Sequence, residues 1–246
     1  MTAPVFVTEP GALALDRVVL TGPEGRHAAA VRRLREGETV DLVDGAGVRA
    51  RCVVASTGKD TITCDVVDRA EEPPPRPRIT VVQALPKGDR GELAVELMTE
   101  AGVDAIVPWA AERCVTRWKP DRAAKALAKW RSAAREAAKQ ARRSRVPEVS
   151  EPTATAAAAA AVGAATAAIV LHEEADTRLA ALPLPEPSED AHIVLVVGPE
   201  GGLTDTELAA FDAAGGVRAL LGPTVLRTST AGVAALSVLQ ARTGRW

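Results

Sequence analysis

The chain reads as an α/β protein of two domains, a small β-rich module followed by a larger layer of alternating strands and helices. Three observations carry this reading. Up to about residue 70, short apolar alternations are broken by turn chemistry at Asp44-Gly45-Ala46-Gly47 and Ser56-Thr57-Gly58-Lys59. Glu71-Glu72-Pro73-Pro74-Pro75-Arg76-Pro77-Arg78 then forms an extended stretch, because proline fixes φ and withholds an N–H donor. Beyond it, apolar runs of strand length alternate with helix-like segments, the pattern of an α/β layer fold. The boundaries expected are a barrel-like domain over 1–72, a linker over 73–78 and the α/β domain over 79–246.

In the first domain the spacing predicts strands at 17–20, 39–43, 48–55 and 61–67, with one helix near 24–34. In the second, 79–85 is an expected buried strand, and Asp89 and Glu92 offer caps to a helix that stops at Gly102. A strand over 104–109 follows. A long helix then starts after Pro120 and ends before Pro147. The alanine-rich tract 153–168 is low in complexity, but alanine is the best helix former, so it reads as a helix. Strands are expected at 167–171 and 193–197. Thr204 and Glu207 have the spacing of a capping box for a helix that ends at Gly215-Gly216. The last strand is expected over 217–221 and the last helix over 228–239.

Composition excludes several classes. Apolar residues make up 47% and charged residues 25% of the 246, ordinary values for a globular chain. No apolar run approaches the roughly 18 residues of a membrane span, and the N-terminus lacks the regions of a signal peptide. Cys52, Cys64 and Cys114 are far apart with no C-x-x-C, and His27, His172 and His192 have no ligand spacing. Neither a disulfide framework nor a metal site is expected, and the cytoplasm is the expected compartment. Net charge is −2, yet twelve Lys/Arg lie between Arg113 and Arg145 against only Asp121 and Glu136. That excess reads either as a solvated helix face or, since i,i+4 acids are nearly absent, as a phosphate-facing surface.

Two glycine-bearing turns each follow a strand-like run and lead into a helix-like segment. They are Gly198-Pro199-Glu200-Gly201-Gly202 and Gly222-Pro223-Thr224-Val225-Leu226-Arg227-Thr228-Ser229-Thr230-Ala231. Neither is a dinucleotide fingerprint or a phosphate-binding P-loop. A third strand end, Leu171-His172-Glu173-Glu174, would be an ordinary surface turn by itself. Together the three can enclose an adenosine, with glycines permitting close approach and Leu171, Leu221 and Leu226 as apolar walls.

These turns, in this order, resemble the SPOUT class of knot-forming RNA methyltransferases, and within it the RsmE family, which methylates N3 of uridine in 16S ribosomal RNA. The resemblance extends to Ala84-Leu85-Pro86-Lys87-Gly88, Thr99–Asp104, Arg113-Cys114-Val115, Trp130-Arg131 and Arg143–Pro147. The N-terminal stretch Arg26–Arg33 resembles the family's PUA-like RNA-binding domain. It implies a PUA-like β-barrel, a trefoil-knotted α/β domain, a homodimer and S-adenosylmethionine as cofactor, with no metal. Cofactor contacts are then expected from Leu171, His172, Glu173, Gly198, Pro199, Glu200, Gly201, Leu221, Gly222, Leu226, Arg227 and Thr228. Arg227, Ser229 and Thr230 are the candidate catalytic residues, Arg227 to stabilise charge on the uracil oxygens, with Glu173, Glu200, Ser229 and Thr230 as the conceivable proton acceptors. Contacts to 16S ribosomal RNA or the small subunit are expected from Arg26, Arg32, Arg33, Lys87, Arg131, Arg135, Lys139, Arg142, Arg143 and Arg145.

Some features depart from the family pattern. Ser229 stands where glutamate is usual, Pro4-Val5 precedes Phe6 where arginine is usual, and Gln140-Ala141 replaces a Gln-Ser pair. Two alternatives remain open at this point. One is a ribose 2′-O-methyltransferase of the same class, whose Asn-Glu and Ser-Leu-Asn motifs are missing here. The other is a non-catalytic RNA-binding or ribosome-assembly factor, favoured only by Ser229.

Overall fold

A computed structural model describes residues 3–246. Packing divides the chain into two compact units, one running to Pro74 together with 138–146, the other comprising 75–137 and 147–246.

The first unit is a mixed, curled sheet of five strands: β1 (Val5–Val7), β2 (Arg17–Leu20), β3 (Thr39–Val43), β4 (Val48–Thr57) and β5 (Ile62–Glu71). Their spatial order is β1-β3-β4-β5-β2, parallel only between β1 and β3, and β4 carries two register shifts against β5. The sequence pattern missed β1, because three buried apolar residues in a row show no alternation. The helix expected near 24–34 is a short α1 (Gly22–Arg26) running directly into a π turn over His27–Val31. Phe6, Leu42, Ile62, Cys52 and Cys64 fill the core. Burial pushes the Cys52 and Cys64 thiols up to about 11 and about 12, so both remain protonated and inert.

Residues 138–146 complete this unit through polar contacts. Lys139 is buried and donates from Nζ to Glu24 Oε1 at 2.7 Å. Arg145 donates to the Glu72 carbonyl at 2.6 Å, and its guanidinium lies where a Cβ on Gly47 would stand. Burial pushes the Glu72 carboxyl upward, but hydrogen bonds from Ser144 and Arg49, with the charges of Arg49 and Arg145, outweigh it and hold the group below its ordinary value.

The second unit alternates strands and helices: β6 (Arg78–Ala84), α2 (Arg90–Glu100), β7 (Ala105–Trp109), α3 (Pro120–Gln140, its last turn in the first unit), β8 (Glu148–Val149), α4 (Thr155–Gly163), β9 (Ala167–Leu171), β10 (His192–Val197), α5 (Asp205–Ala213), β11 (Val217–Ala219) and α6 (Thr228–Arg242). The sheet is wholly parallel in the order β11-β9-β10-β6-β7-β8. Buried on both faces, β10 carries a continuous apolar run over 193–197, and β6 is buried from Ile79 on with only Thr80 and Gln83 interrupting its apolar residues. The expected elements recur with changed ends. α3 stops at Gln140, short of the end expected before Pro147, and Arg142 follows with φ 56°. α4 uses only the first part of the alanine tract. β8 escaped notice because two residues carry no pattern. The Thr204–Glu207 capping box is present in both directions, whereas Asp89 sits at the N-cap of α2 without a side-chain cap bond. Glu207 also accepts the Glu112 N–H at 2.8 Å, so one buried carboxylate ties α5 to the segment after β7.

α6 is fastened at both ends. Near its start, Gly232 packs closely, since a Cβ there would lie 2.7 Å from Met98 Sδ and 3.2 Å from Gln83 Oε1. Near its end, Gln240 Nε2 donates to the carbonyls of Ala101 (2.7 Å) and Gly102 (3.0 Å), approaching a glycine whose φ of 90° already disfavours a side chain. Arg245, just beyond, pairs with Asp104 at 2.7 Å and donates to the carbonyls of Pro77 and Gly102, each at 2.9 Å. Asp104 in turn accepts the Ile79 N–H at 2.8 Å. Next to this cluster His192 faces Thr80 across 2.9 Å, and burial, with Arg78, holds the imidazole below its ordinary value. The Asp104–Arg245 pair is nearly closed to solvent, so removing the carboxylate alone strands a buried cation. Asp104→Ala should therefore destabilise the protein by about 3 kcal/mol, the scale of a broken buried pair. Urea unfolding measures this, and a loss below about 1 kcal/mol, the range of exposed pairs, would refute the assignment.

Candidate active site

The carboxyl ends of β9, β10 and β11 enclose a cavity of about 360 Å³, within the size range of small-molecule sites. Val197 and Ala219, the last residues of β10 and β11, line its base. Leu171, His172 and Glu173 form one side, Gly198-Pro199-Glu200 another, and the segment Leu220–Thr228 with Ala231 closes it over.

Local chemistry explains each wall. The turn after β10 is closed by the Gly202 N–H donating to the Pro199 carbonyl at 3.0 Å, with Gly202 at φ 72°. A Cβ on Gly198 would stand 3.1 Å from the Leu203 side chain, so the turn is tightly packed on its inner side. Arg113 holds the same turn from outside, donating to the carbonyls of Gly201 and Leu203 at 3.2 Å each. Glu200 accepts the Lys87 N–H at 3.1 Å. On the opposite wall His172 Nδ1 accepts the Glu174 N–H at 3.2 Å, which leaves the proton of the neutral ring on Nε2. Leu220 is anchored, donating to Thr177 O at 2.8 Å and accepting from Leu179 N–H at 2.9 Å. After that anchor the backbone N–H groups of Leu221, Gly222, Thr224, Val225 and Leu226 have no partner among the described residues. A run of unpaired donors beside apolar side chains is suited to a ligand with a flat heteroaromatic ring and polar edges.

The cavity brings together every residue expected to touch the cofactor except Gly201. Gly201 faces Arg113 instead: a Cβ there would meet Arg113 Cβ at 3.0 Å and its carbonyl at 3.2 Å. Of the three catalytic candidates only Arg227 lines the cavity, exposed at the mouth. Ser229 is 3% exposed inside the first turn of α6, and Thr230 Oγ1 donates to the Arg227 carbonyl at 3.2 Å, so neither hydroxyl lines the cavity. Sequence reasoning missed Val197, Ala219 and Ala231 as wall residues, along with Gly202, Leu203, Leu220 and 223–225 of the two turns. The first two lie on the strands that lead into the marked turns, and that adjacency was the available signal.

The basic residues separate into two groups. Arg32, Arg33 and Arg142 are exposed without an ion pair among the described residues, Lys87 uses only its backbone, and Arg26 has a loose exposed contact with Asp60 at 3.5 Å. Lys139 and Arg145 are held inside the first unit, Lys139 on Glu24 and Arg145 on the Glu72 carbonyl. Arg131 is pinned to Val149 O at 3.0 Å and Glu151 at 3.1 Å, and Arg135 and Arg143 are half-buried with partners of their own. No helix among the described residues is long and apolar enough to cross a membrane, and no cluster of metal-ligating side chains occurs among them.

The profile of an RNA methyltransferase domain matches residues 72–240, and that of an RNA methyltransferase PUA domain matches residues 20–67. Ribosomal RNA small subunit methyltransferase E of Mycobacterium bovis is 48% identical over 93% of this chain and 87% of its own length. The chain belongs to the small subunit methyltransferase E family. The Bacillus subtilis member is 31% identical over 91% of this chain and 90% of its own. The crystal structure of the Neisseria gonorrhoeae member, bound to S-adenosyl methionine, superimposes with a TM-score of 0.86 at 28% identity, covering 98% of each chain. A methyltransferase from Legionella pneumophila in complex with the same cofactor gives 0.85 at 27%. The two-domain architecture is that of the family, and the knotted topology of the class fits it.

Because Gly201 packs on Arg113, Gly201→Val should act on the turn rather than fill the cavity. Overpacking there should lower stability by about 1–3 kcal/mol. Thermal unfolding tests this, and an unchanged melting temperature would show that Arg113 yields freely.

Proposed function

We propose that this family member transfers the methyl group of S-adenosylmethionine to N3 of a uridine in 16S ribosomal RNA of the small subunit. The single observation that carries the reading is the cavity over β9, β10 and β11, whose apolar walls and unpaired backbone donors suit an adenosine. Relatives of this chain are named as ribosomal RNA small subunit methyltransferases, and solved relatives hold that cofactor. The cofactor supplies a methyl group already activated by its sulfonium. The protein's own task is then to hold, orient and exclude water.

Leu171, Leu221 and Leu226 would sandwich the adenine, and the N–H groups along 221–226 would read its edge. Arg227, exposed at the mouth, is positioned to place positive charge beside the uracil oxygens as N3 loses its proton. Glu173 and Glu200, both on the cavity wall, are the carboxylates within this site that would accept that proton directly or through water. N3 lies on the pairing edge, so the target uridine must be unpaired when it is presented. The exposed arginines of the first unit supply the phosphate contacts, and the site of action is the cytoplasm, where small subunits are assembled. A second copy of the chain is the partner implied by family resemblance, and Val225, 81% exposed at the cavity lip, is available to it.

Small subunits from cells lacking the gene, incubated with the protein and labelled cofactor, should yield labelled N3-methyluridine on nucleoside mass spectrometry. A ribose-methylated nucleoside would move the reaction to the 2′-O class. Cofactor binding without any label would favour the assembly-factor reading. For the RNA surface, Arg32→Glu combined with Arg33→Glu should weaken subunit binding and reduce the salt slope by about 2, one for each phosphate no longer neutralised. Filter binding from low to high salt measures both, and an unchanged slope removes these arginines from the interface.

A further inference from the structure

The buried side chain of Gln83 is unexplained by packing alone. It stands at the end of the central strand β6, wholly inaccessible, directly beside Val197 of the cavity base in the parallel register. Both of its hydrogen bonds come from Nε2: one to the Ala84 carbonyl at 3.0 Å, the other to the Thr228 carbonyl at 3.3 Å. Its Oε1 is buried and has no partner among the described residues. Leaving a buried acceptor unpaired is unfavourable, and a methionine of similar size would carry no such defect. The amide is therefore not there for the core.

What it does hold is the start of α6. Thr228 is the first residue of that helix and lines the cavity, as do Arg227 before it and Ala231 one turn on. Gly232 leaves room for the contact, since a Cβ at that position would lie 3.2 Å from Gln83 Oε1. The first turn of α6 is thus set by an amide clamp that spans from the exit of β6 to the Thr228 carbonyl, on the side of the helix away from the ligand.

We propose that Gln83 is a positioning residue for the cofactor site: through the Thr228 carbonyl it fixes the Arg227–Ala231 wall at the distance that S-adenosylmethionine requires. The inference rests on the assignment of this cavity to that cofactor. Gln83 does not line the cavity and acts only through α6.

The decisive variant is Gln83→Met, which keeps the volume and removes the donors. It should fold with a melting temperature close to that of the unaltered protein, because the orphan acceptor removed offsets the two donated hydrogen bonds lost. Its dissociation constant for S-adenosylmethionine, by calorimetry, should rise about tenfold, the size of one missing hydrogen bond. Hydrogen exchange at the amides of 228–232 should quicken, as the turn is freed. An unchanged affinity in a folded Gln83→Met protein would overturn the proposal. So would a lowered melting temperature with unchanged affinity, which is the signature of a purely structural role. Gln83→Leu, which likewise cannot donate, should bind as weakly as Gln83→Met, and full affinity there would equally refute the clamp. If the unaltered protein itself failed to bind the cofactor, the cavity assignment would fall instead, and the two failures are distinguishable.

Discussion

The second unit depends on the seating of one helix. A parallel sheet gathers its ligand-binding loops at the carboxyl ends of its strands, but those loops are only as fixed as the elements they lead into. Here the segment that closes the cavity, Leu220–Thr228, runs straight into α6. α6 is held at its beginning by a side chain-free position packed on Met98 and Gln83, and at its end by Gln240 and Arg245 on the α2–β7 turn. The two ends of the helix therefore report to β6 and to the α2–β7 turn, while the cavity lies over β9, β10 and β11. The wall is positioned from a rigid centre rather than from its own flexible loop, which is how a site built from glycine-rich turns keeps a defined shape.

The basic segment shows why local charge counting misleads. Between Arg113 and Arg145 the sequence offers almost no acids at helical spacing, and the excess reads as a surface for phosphate. In the folded chain the acids arrive from elsewhere: Glu24 to Lys139, Glu92 to Lys129, Glu151 to Arg131, with carbonyl oxygens taking Arg113, Arg117 and Arg145. A guanidinium donating to backbone carbonyls is a structural fastener with no negative partner in the sequence to betray it. The exposed charge without an ion pair among the described residues is smaller, and includes Arg142 in this segment and Arg32 and Arg33 outside it. Arg32 and Arg33 follow a π turn, a rare geometry, with Arg33 at φ 54°.

Much of the architecture was legible because period, cap and breaker agree. The run 217–221 marks where its strand starts, the Thr204–Glu207 spacing marks a capping box, and Gly102 marks a helix end at φ 90°. β1 and β8 were not legible, since three and two residues are too few for any period and their pairing is set by partners distant in sequence. The cavity walls were legible as turns after strands. The roles of Gly201 and Ser229 were not: sequence places them next to wall residues, and only the turn's packing on Arg113 and the helix's rotation decide which way each one faces.

Ser229 then takes on a different meaning. From sequence alone, a serine where the family usually has glutamate puts any acid–base role at this position in question. At 3% exposure, in the first turn of α6 and off the cavity wall, this position sits among the helix's own unpaired N–H groups, where a carboxylate would be favoured by the helix dipole. A carboxylate so placed would stabilise the start of the helix. Serine brings no charge there, and no side-chain cap bond closes this helix start. The substitution therefore bears on how firmly α6 begins. With less charge to anchor that first turn, more of the task of holding the Thr228 carbonyl falls to the neutral amide of Gln83 beneath it.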